Sequence, residues 1–285
     1  VVTTPALMEK LFDTEKMVKP QYRTDQTLPP ASQTAGTLFK IAWPAVLETV
    51  LVSLISLVDT VMVGTLGYEA IAAVGLTTQP RMIVLALFTS LNVGITALVA
   101  RRKGAGERET ANKVLRQALF ISLIGAIIMS VLGVYFSRDV LLLMGAAEDT
   151  IGPATQYLRI MLGGIFFNIM SLAITAGQRG AGNTRISMRT NLCANLVNIL
   201  FNWLLINGKL GFPKLGVAGA AIATVLGYVV AFFMAVYSVA RPESFLHLNL
   251  KASFLPQKSI MKPLVSVGSS MAAEQLFLRI GFFIF

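Results

Sequence analysis

Two carboxylates and a row of amides are the residues of this sequence whose types and spacing could do chemistry. Glu48 and Asp59 stand eleven positions apart, and Asn191, Asn195, Asn198 and Asn202 step by four, three and four. On a helix turning about 100° per residue, eleven positions come to about 1100°, so both carboxylates lie on nearly one face. The four asparagines share one face in the same way. A carboxylate lining a polar cavity can take up and release a proton. Surrounded by amide oxygens, it can equally hold Na+, a hard cation that prefers oxygen ligands. Thr60 follows Asp59 directly and adds a hydroxyl.

The elements that carry these residues are membrane helices. Hydrophobic residues make up 55% of the 285-residue chain and charged residues only 13%, with a mean hydropathy of +0.70. A soluble domain covers its surface with roughly 25% charged residues. At half that density the surrounding medium is lipid. One cysteine (Cys193) excludes a disulfide framework, and one histidine (His247, read as a solvated loop residue) leaves too little for a His/Cys metal site. Apolar runs of spanning length recur at 41–63, 82–100, 115–137, 154–177, 190–207, 216–240 and 263–285. Residues 69–80 read as an interfacial extension of the second run.

The net charge of +10 sits mostly in alternate loops. Arg101, Arg102, Lys103, Arg108, Lys113 and Arg116 follow the second span. Arg179, Arg185 and Arg189 follow the fourth, and Arg241, Lys251, Lys258 and Lys262 follow the sixth. The tail adds Lys10, Lys16, Lys19, Arg23 and Lys40, whereas the opposite loops offer only Arg138, Lys209 and Lys214. Positive charge marks the cytoplasmic side, so the N-terminus is expected there. Arg81 and Arg159 fall near the outer face, where long side chains can snorkel to water.

An ionisable residue at membrane depth is costly and therefore functional by default. Glu48 lies near the cytoplasmic end of the first span, within reach of interfacial water or Lys40, and Asp59 lies in the outer half. The alternative for Asp59 is a solvated, inert carboxylate at the outer headgroups. Asn191 and Asn195 suit interhelical hydrogen bonding, worth about 0.6–2 kcal/mol each, as well as they suit a cavity wall. Asn198 and Asn202 are the better site candidates. In the sixth span Gly219, Ala223 and Gly227 form a small-residue face for close packing, with Thr224 beside it. Ser53, Ser56, Asn92, Thr96, Asn168 and Thr175 either line a cavity or bond back to their own helices.

Two cytoplasmic helix ends look alike: Arg102-Lys103-Gly104-Ala105-Gly106 and Gln178-Arg179-Gly180-Ala181-Gly182-Asn183. Neither follows a strand, so they read as glycine caps and not as phosphate loops. A second echo pairs the stretch from Ile41 to Glu48 with the stretch from Val267 to Glu274, both entering from the cytoplasmic side. It points to a parallel repeat. The chain then divides into a polar cytoplasmic tail (1–37), a six-helix transmembrane lobe (38–240), a cytoplasmic linker (241–262) and a seventh transmembrane helix (263–285).

Four segments together resemble the multidrug and toxic compound extrusion (MATE) family of secondary transporters. They are Leu57-Val58-Asp59-Thr60-Val61-Met62-Val63-Gly64, Gly94-Ile95-Thr96-Ala97-Leu98-Val99-Ala100-Arg101, Arg179-Gly180-Ala181-Gly182-Asn183-Thr184-Arg185, and Leu215-Gly216-Val217-Ala218-Gly219-Ala220-Ala221. The resemblance implies an all-α, twelve-helix transporter of two six-helix lobes in the plasma membrane. It would export cationic, lipophilic small molecules in exchange for H+ or Na+, with no other cofactor and no nucleic-acid partner, and would be monomeric at full length. It also implies ion-coupling roles for Asp59, Asn198, Asn202 and Thr224, with Na+ held at Asp59, Asn198 and Asn202 if Na+ is the ion. Glu48, Asn191, Asn195 and Thr60 would line the cavity.

Asn202 departs from the pattern, because many members carry aspartate there. One negative charge in place of two weakens Na+ binding and favours H+ coupling through Asp59. The seventh-helix glutamate that some members use is not matched by Phe277-Leu278-Arg279. Five further helices are expected beyond a chain that ends inside an apolar span, which reads as a fragment. Two other classes stay open: a lipid or glycolipid flippase of related fold, which the acidic character of the deep charges disfavours, and a non-transporting scaffold or half-transporter. The absence of a His/Cys/Ser constellation or a carboxylate pair across helices argues against an enzyme.

Overall fold

The computed structural model describes residues 31–241, 244–248 and 257–284. The tail cations Lys10, Lys16, Lys19 and Arg23, the linker residue Lys251, and the side chains of Lys40 and Arg279 lie outside what it describes. Among the described residues all regular structure is helical. In chain order the helices are α1 (Ala31–Gly64), α2 (Tyr68–Gly104), α3 (Arg108–Tyr135), α4 (Ser137–Leu143), α5 (Glu148–Gly163), α6 (Ile165–Gly180), α7 (Thr184–Asn207), α8 (Gly216–Ala240) and α9 (Lys258–Ile284). Helix α1 begins inside the stretch expected as polar tail, and α9 inside the expected linker. The 69–80 extension is the start of α2, as its pattern suggests.

The chain divides into two units, residues 1–47 and 48–285. In the first, the Phe39 and Trp43 rings stack with centroids 5.9 Å apart, one helical turn from each other. The second unit carries everything that follows.

Among the described residues, four helical stretches are long and apolar enough to cross a membrane: Val46–Gly64, Tyr68–Gly104, Arg108–Tyr135 and Gly216–Ala240. The pair α5 and α6 makes a fifth if it is one broken span, bent by 44°. This corrects the uninterrupted helix expected over 154–177. The break falls at Gly164, which packs so closely on α8 that a Cβ there would meet Val225 at 2.5 Å. Helix α7 is less apolar, because one of its faces is the asparagine row and its first turns carry Arg185 and Arg189. The short α4 has no counterpart in the sequence pattern.

Three buried apolar clusters hold the second unit together. Ile95, Leu115, Ile174, Leu246 and Leu264 join α2, α3, α6, the 244–248 segment and α9. Phe88, Leu141, Leu158, Leu162 and Ile169 join α2, α4, α5 and α6. Val63, Tyr157, Met161, Ile206 and Ala221 join the end of α1 to α5, α7 and α8. By contrast most of the apolar surface of α1 is exposed, Leu57 at 63% and Val61 at 69% among it. Lipid-facing surface of that kind has little hydrophobic reason to bind another helix, so polar contacts weigh more.

The two look-alike turns are helix caps. Gly106 and Gly182 take φ of +74° and +77°, the left-handed region that glycine enters without a Cβ penalty. The next N–H in each turn reaches back five residues, Glu107 to the Arg102 carbonyl and Asn183 to the Gln178 carbonyl, at 2.9 and 2.8 Å. That is the pattern of a Schellman cap.

His247 is not a solvated loop residue. It is half-buried, and its backbone N–H donates to Asn112 Oδ1 at 2.8 Å. Beside it Leu246 is fully buried, and the Arg108 guanidinium donates to the carbonyls of Ser244 and Phe245 at 2.6 and 3.0 Å. Leu248 N–H donates to the Val239 carbonyl of α8 at 2.9 Å. The segment after α8 is thus clasped to the α2–α3 turn.

Candidate functional site

Helices α7 and α8 approach closely because α8 presents glycine. A Cβ at Gly219 would meet the Leu205 carbonyl oxygen at 2.7 Å, and one at Gly227 the Ala194 carbonyl oxygen at 2.7 Å. The small-residue face read from the sequence therefore packs on α7, and it brings Thr224 against the asparagine row.

Glu48 and Asp59 on α1 are separated by eleven residues, and so are Asn191 and Asn202 on α7. The two helices meet as a two-rung ladder, its rungs about 16 Å apart along the axes at 1.5 Å per residue. At the lower rung Asn191 donates its amide to Glu48 Oε1. Ser187 Oγ donates to the same oxygen at 3.4 Å and accepts from Arg179 at 2.7 Å. At the upper rung Asn202 Nδ2 donates to Asp59 Oδ1 at 2.8 Å. The Asn198 amide nitrogen donates to both Asp59 oxygens, at 2.8 and 2.9 Å. Its oxygen then accepts from the Thr224 backbone N–H at 3.1 Å and hydroxyl at 3.0 Å. Asp59, Asn198, Asn202 and Thr224 thus form one connected group spanning three helices.

Two cavities flank this group. One, of about 360 Å³, is lined among others by Asp59, Thr60, Tyr157 and Asn202. The other, of about 240 Å³, is lined among others by Asn168, Asn191, Asn195 and Asn198. Ser56, Asp59, Arg81 and Thr224 belong to both. Asp59 therefore lines both cavities. Asn198 and Asn202 are buried at 4% and 2% exposure. The Asn202 oxygen is buried with no hydrogen-bond partner among the described residues. Such a group costs about 1–3 kcal/mol. Thr60 lines a cavity, but its hydroxyl bonds back to Ser56 O at 2.9 Å, as Ser53 does to Thr49 O and Thr175 to Ser171 O.

Sequence reading missed Arg81, Tyr157 and Tyr228. Arg81 lines both cavities. It lies close enough to the Tyr228 hydroxyl and to Asp59 to interact electrostatically with both. The signal was present, since a cation in the first half of the 37-residue α2 falls under the same rule that singled out Asp59. Tyr157 and Tyr228 carried none, because a tyrosine in an apolar run looks like packing. Among the described residues no cluster of His, Cys, Asp or Glu could hold a metal ion through three such ligands.

Comparison with known proteins identifies the family. The MatE family model matches residues 44–204. The probable multidrug resistance protein NorM of Thermotoga maritima is 32% identical over 87% of this chain and 53% of its own length. The FAD transporter of Shewanella oneidensis is 30% identical over 64% of this chain and 40% of its own. An outward-facing structure of a multidrug resistance MATE transporter of the MOP superfamily superposes with a TM-score of 0.79. It is 29% identical, with 87% of this chain and 54% of that chain covered. The chain spans about half the length of the curated relatives it matches. A family model matching more than half the chain, on a shared helical architecture, leaves one assignment: this chain belongs to the MATE family of membrane transporters.

Proposed function

We propose that this chain works as the first lobe of a secondary antiporter that exports lipophilic organic compounds in exchange for H+ or Na+, with Asp59 as the ion-coupling residue and Asn198, Asn202 and Thr224 as its partners. The observation that carries this reading is the hydrogen-bonded line from Asp59 through Asn198 to Thr224. Its heavy atoms suit two proton arrangements. With Asp59 ionised, Asn198 donates to the carboxylate and its oxygen accepts from Thr224. With Asp59 protonated, the carboxyl O–H donates to the Asn198 oxygen once the amide rotates. The amide nitrogen then donates to Thr224 Oγ1 at 3.0 Å, and Thr224 donates to Ala220 O at 3.0 Å. One proton thus reverses the Asp59–Asn198 bond and the bond from Asn198 to the Thr224 hydroxyl, while Asn202 still donates to Asp59 and the Glu48 rung is untouched.

Helix α1 buries little apolar surface, so its attachment depends on these bonds. A change of a few kcal/mol in them is enough to redistribute two conformations. The plasma membrane, with a cytoplasmic N-terminus, is the location that the charged loops support.

The unpartnered Asn202 oxygen favours a second reading of the coupling ion. It stands beside a carboxylate, where Na+ would supply its missing partner. Imposing a pH gradient or a Na+ gradient separately on full-length transporter in vesicles separates the two. Efflux driven by pH alone assigns H+, and efflux driven by Na+ at equal pH assigns Na+. Efflux driven by neither overturns the antiporter. In the same assay Asn198→Ala lowers ion-driven efflux far more than Asn191→Ala, because Asn198 touches the Asp59 carboxylate and Asn191 touches Glu48. Equal and negligible effects would return the asparagine row to helix packing.

A further inference from the structure

The cavities around Asp59 hold a cation as well as an anion. Arg81 lines both of them, is partly exposed, and lies close enough to the Tyr228 hydroxyl to interact with it electrostatically. The titratable or charged groups around the guanidinium are Asp59 on α1, Tyr157 on α5 and Tyr228 on α8, and the lining groups of α6 and α7 are neutral serine and asparagines. The lining charges of these cavities therefore sum to zero, one Asp59 against one Arg81. A receptor for a simple organic cation gains nothing from that arrangement, because the cation drawn to Asp59 meets a like charge beside it.

We infer that Arg81 is an oxyanion-binding residue, and that the cavity takes organic molecules bearing a carboxylate or phosphate group. A guanidinium presents a planar fork of donors that matches either oxyanion with two parallel hydrogen bonds. In a cavity walled by apolar helices such a pair is poorly screened and correspondingly strong. Arg81 lines both cavities and is not fully buried, so its guanidinium is reachable from them. This inference rests on the transporter reading above and narrows its substrate class.

Two xanthene dyes of opposite charge, fluorescein and rhodamine 6G, test it by fluorescence anisotropy on the purified full-length protein in neutral detergent. The unaltered protein is expected to bind fluorescein, and Arg81→Gln to weaken it by roughly 30-fold, the low end of what losing one partner of a buried charge pair costs. Arg81→Lys, which keeps the charge without the fork, is expected to fall between them. Rhodamine 6G binding is unchanged or tighter in both variants, which also reports that they are folded. Fluorescein affinities within about twofold across the three proteins overturn the inference. Rhodamine 6G binding without fluorescein binding also overturns it and leaves the transporter reading standing, whereas binding of neither dye sinks both. Repeating the titration with phosphatidylglycerol in the micelles separates sources of the oxyanion. Displacement of fluorescein by the lipid, lost in Arg81→Gln, assigns the group to a lipid headgroup. No displacement assigns it to a soluble anion.

Discussion

Replacing Asp59 by asparagine is expected to reduce ion-driven efflux by the full-length transporter to the level of empty vesicles, while the protein inserts and purifies normally. The amide has the shape of the carboxylate, and its oxygen can still accept from Asn202 Nδ2, which now lies 2.8 Å from Asp59 Oδ1. What is lost is the only group of this rung that changes charge. Without it the bonds through Asn198 to Thr224 keep one direction at every pH and Na+ concentration, and α1 loses its reason to prefer different packings in the two states. Efflux and thermal melting measured on one preparation separate the two effects. Normal efflux by Asp59→Asn would falsify the coupling scheme, and a collapsed melting profile would turn Asp59 into a structural residue.

The second large effect is expected from a single methyl group at Gly227. A Cβ there would stand 2.7 Å from the Ala194 carbonyl oxygen and 3.5 Å from Asn198 Cβ. The obstructing atom is backbone and cannot rotate away, so α8 must move off α7. Overpacking of this kind costs about 1–3 kcal/mol, and the shift also draws Thr224 away from Asn198. Gly227→Ala should therefore lower the melting temperature and weaken ion-dependent transport together. Gly152→Ala is the control, since nothing lies within 4 Å of its Cβ position. There the better helix former should be neutral or stabilising, by up to about 1 kcal/mol. Equal melting of the two variants would show that α7 and α8 tolerate separation.

The parts of this site that were legible in the sequence are those whose cost is visible residue by residue. A carboxylate and four aligned asparagines inside apolar runs are expensive anywhere but in a polar interior, so Asp59, Asn198 and Asn202 could be named before their contacts were known. Thr224 was legible through its neighbours Gly219 and Gly227, whose spacing announces a close helix approach. The register between α1 and α7 was not. The eleven-residue spacing occurs in both helices, yet nothing in either one says that Glu48 meets Asn191 while Asp59 meets Asn202. That pairing depends on how two helices settle against α8.

The place of Arg81 in these cavities was not legible, because a charge near the end of an apolar run has an inexpensive escape to water. The Tyr228 hydroxyl and the Asp59 charge, which offer it a better place, lie far away in sequence. Gly164 hid its break for a related reason. A Gly163-Gly164 pair in a membrane helix is common, and the close approach of Val225 that accompanies the bend belongs to another helix. The four-residue connection before α5 and the seven-residue α4 are too short to leave a period.

The clasp of residues 244–248 onto the α2–α3 turn has a mechanical consequence. Force arriving along the backbone from α9 meets the Leu248 bond to Val239 at the end of α8 first, then the Arg108 and Asn112 bonds and the buried Leu246. The load is thus shared between the last turn of α8 and the start of α3. The stretch of α8 that carries Thr224 and Tyr228 is therefore spared part of the tugging by whatever α9 belongs to, much as a cable clamp protects a soldered joint.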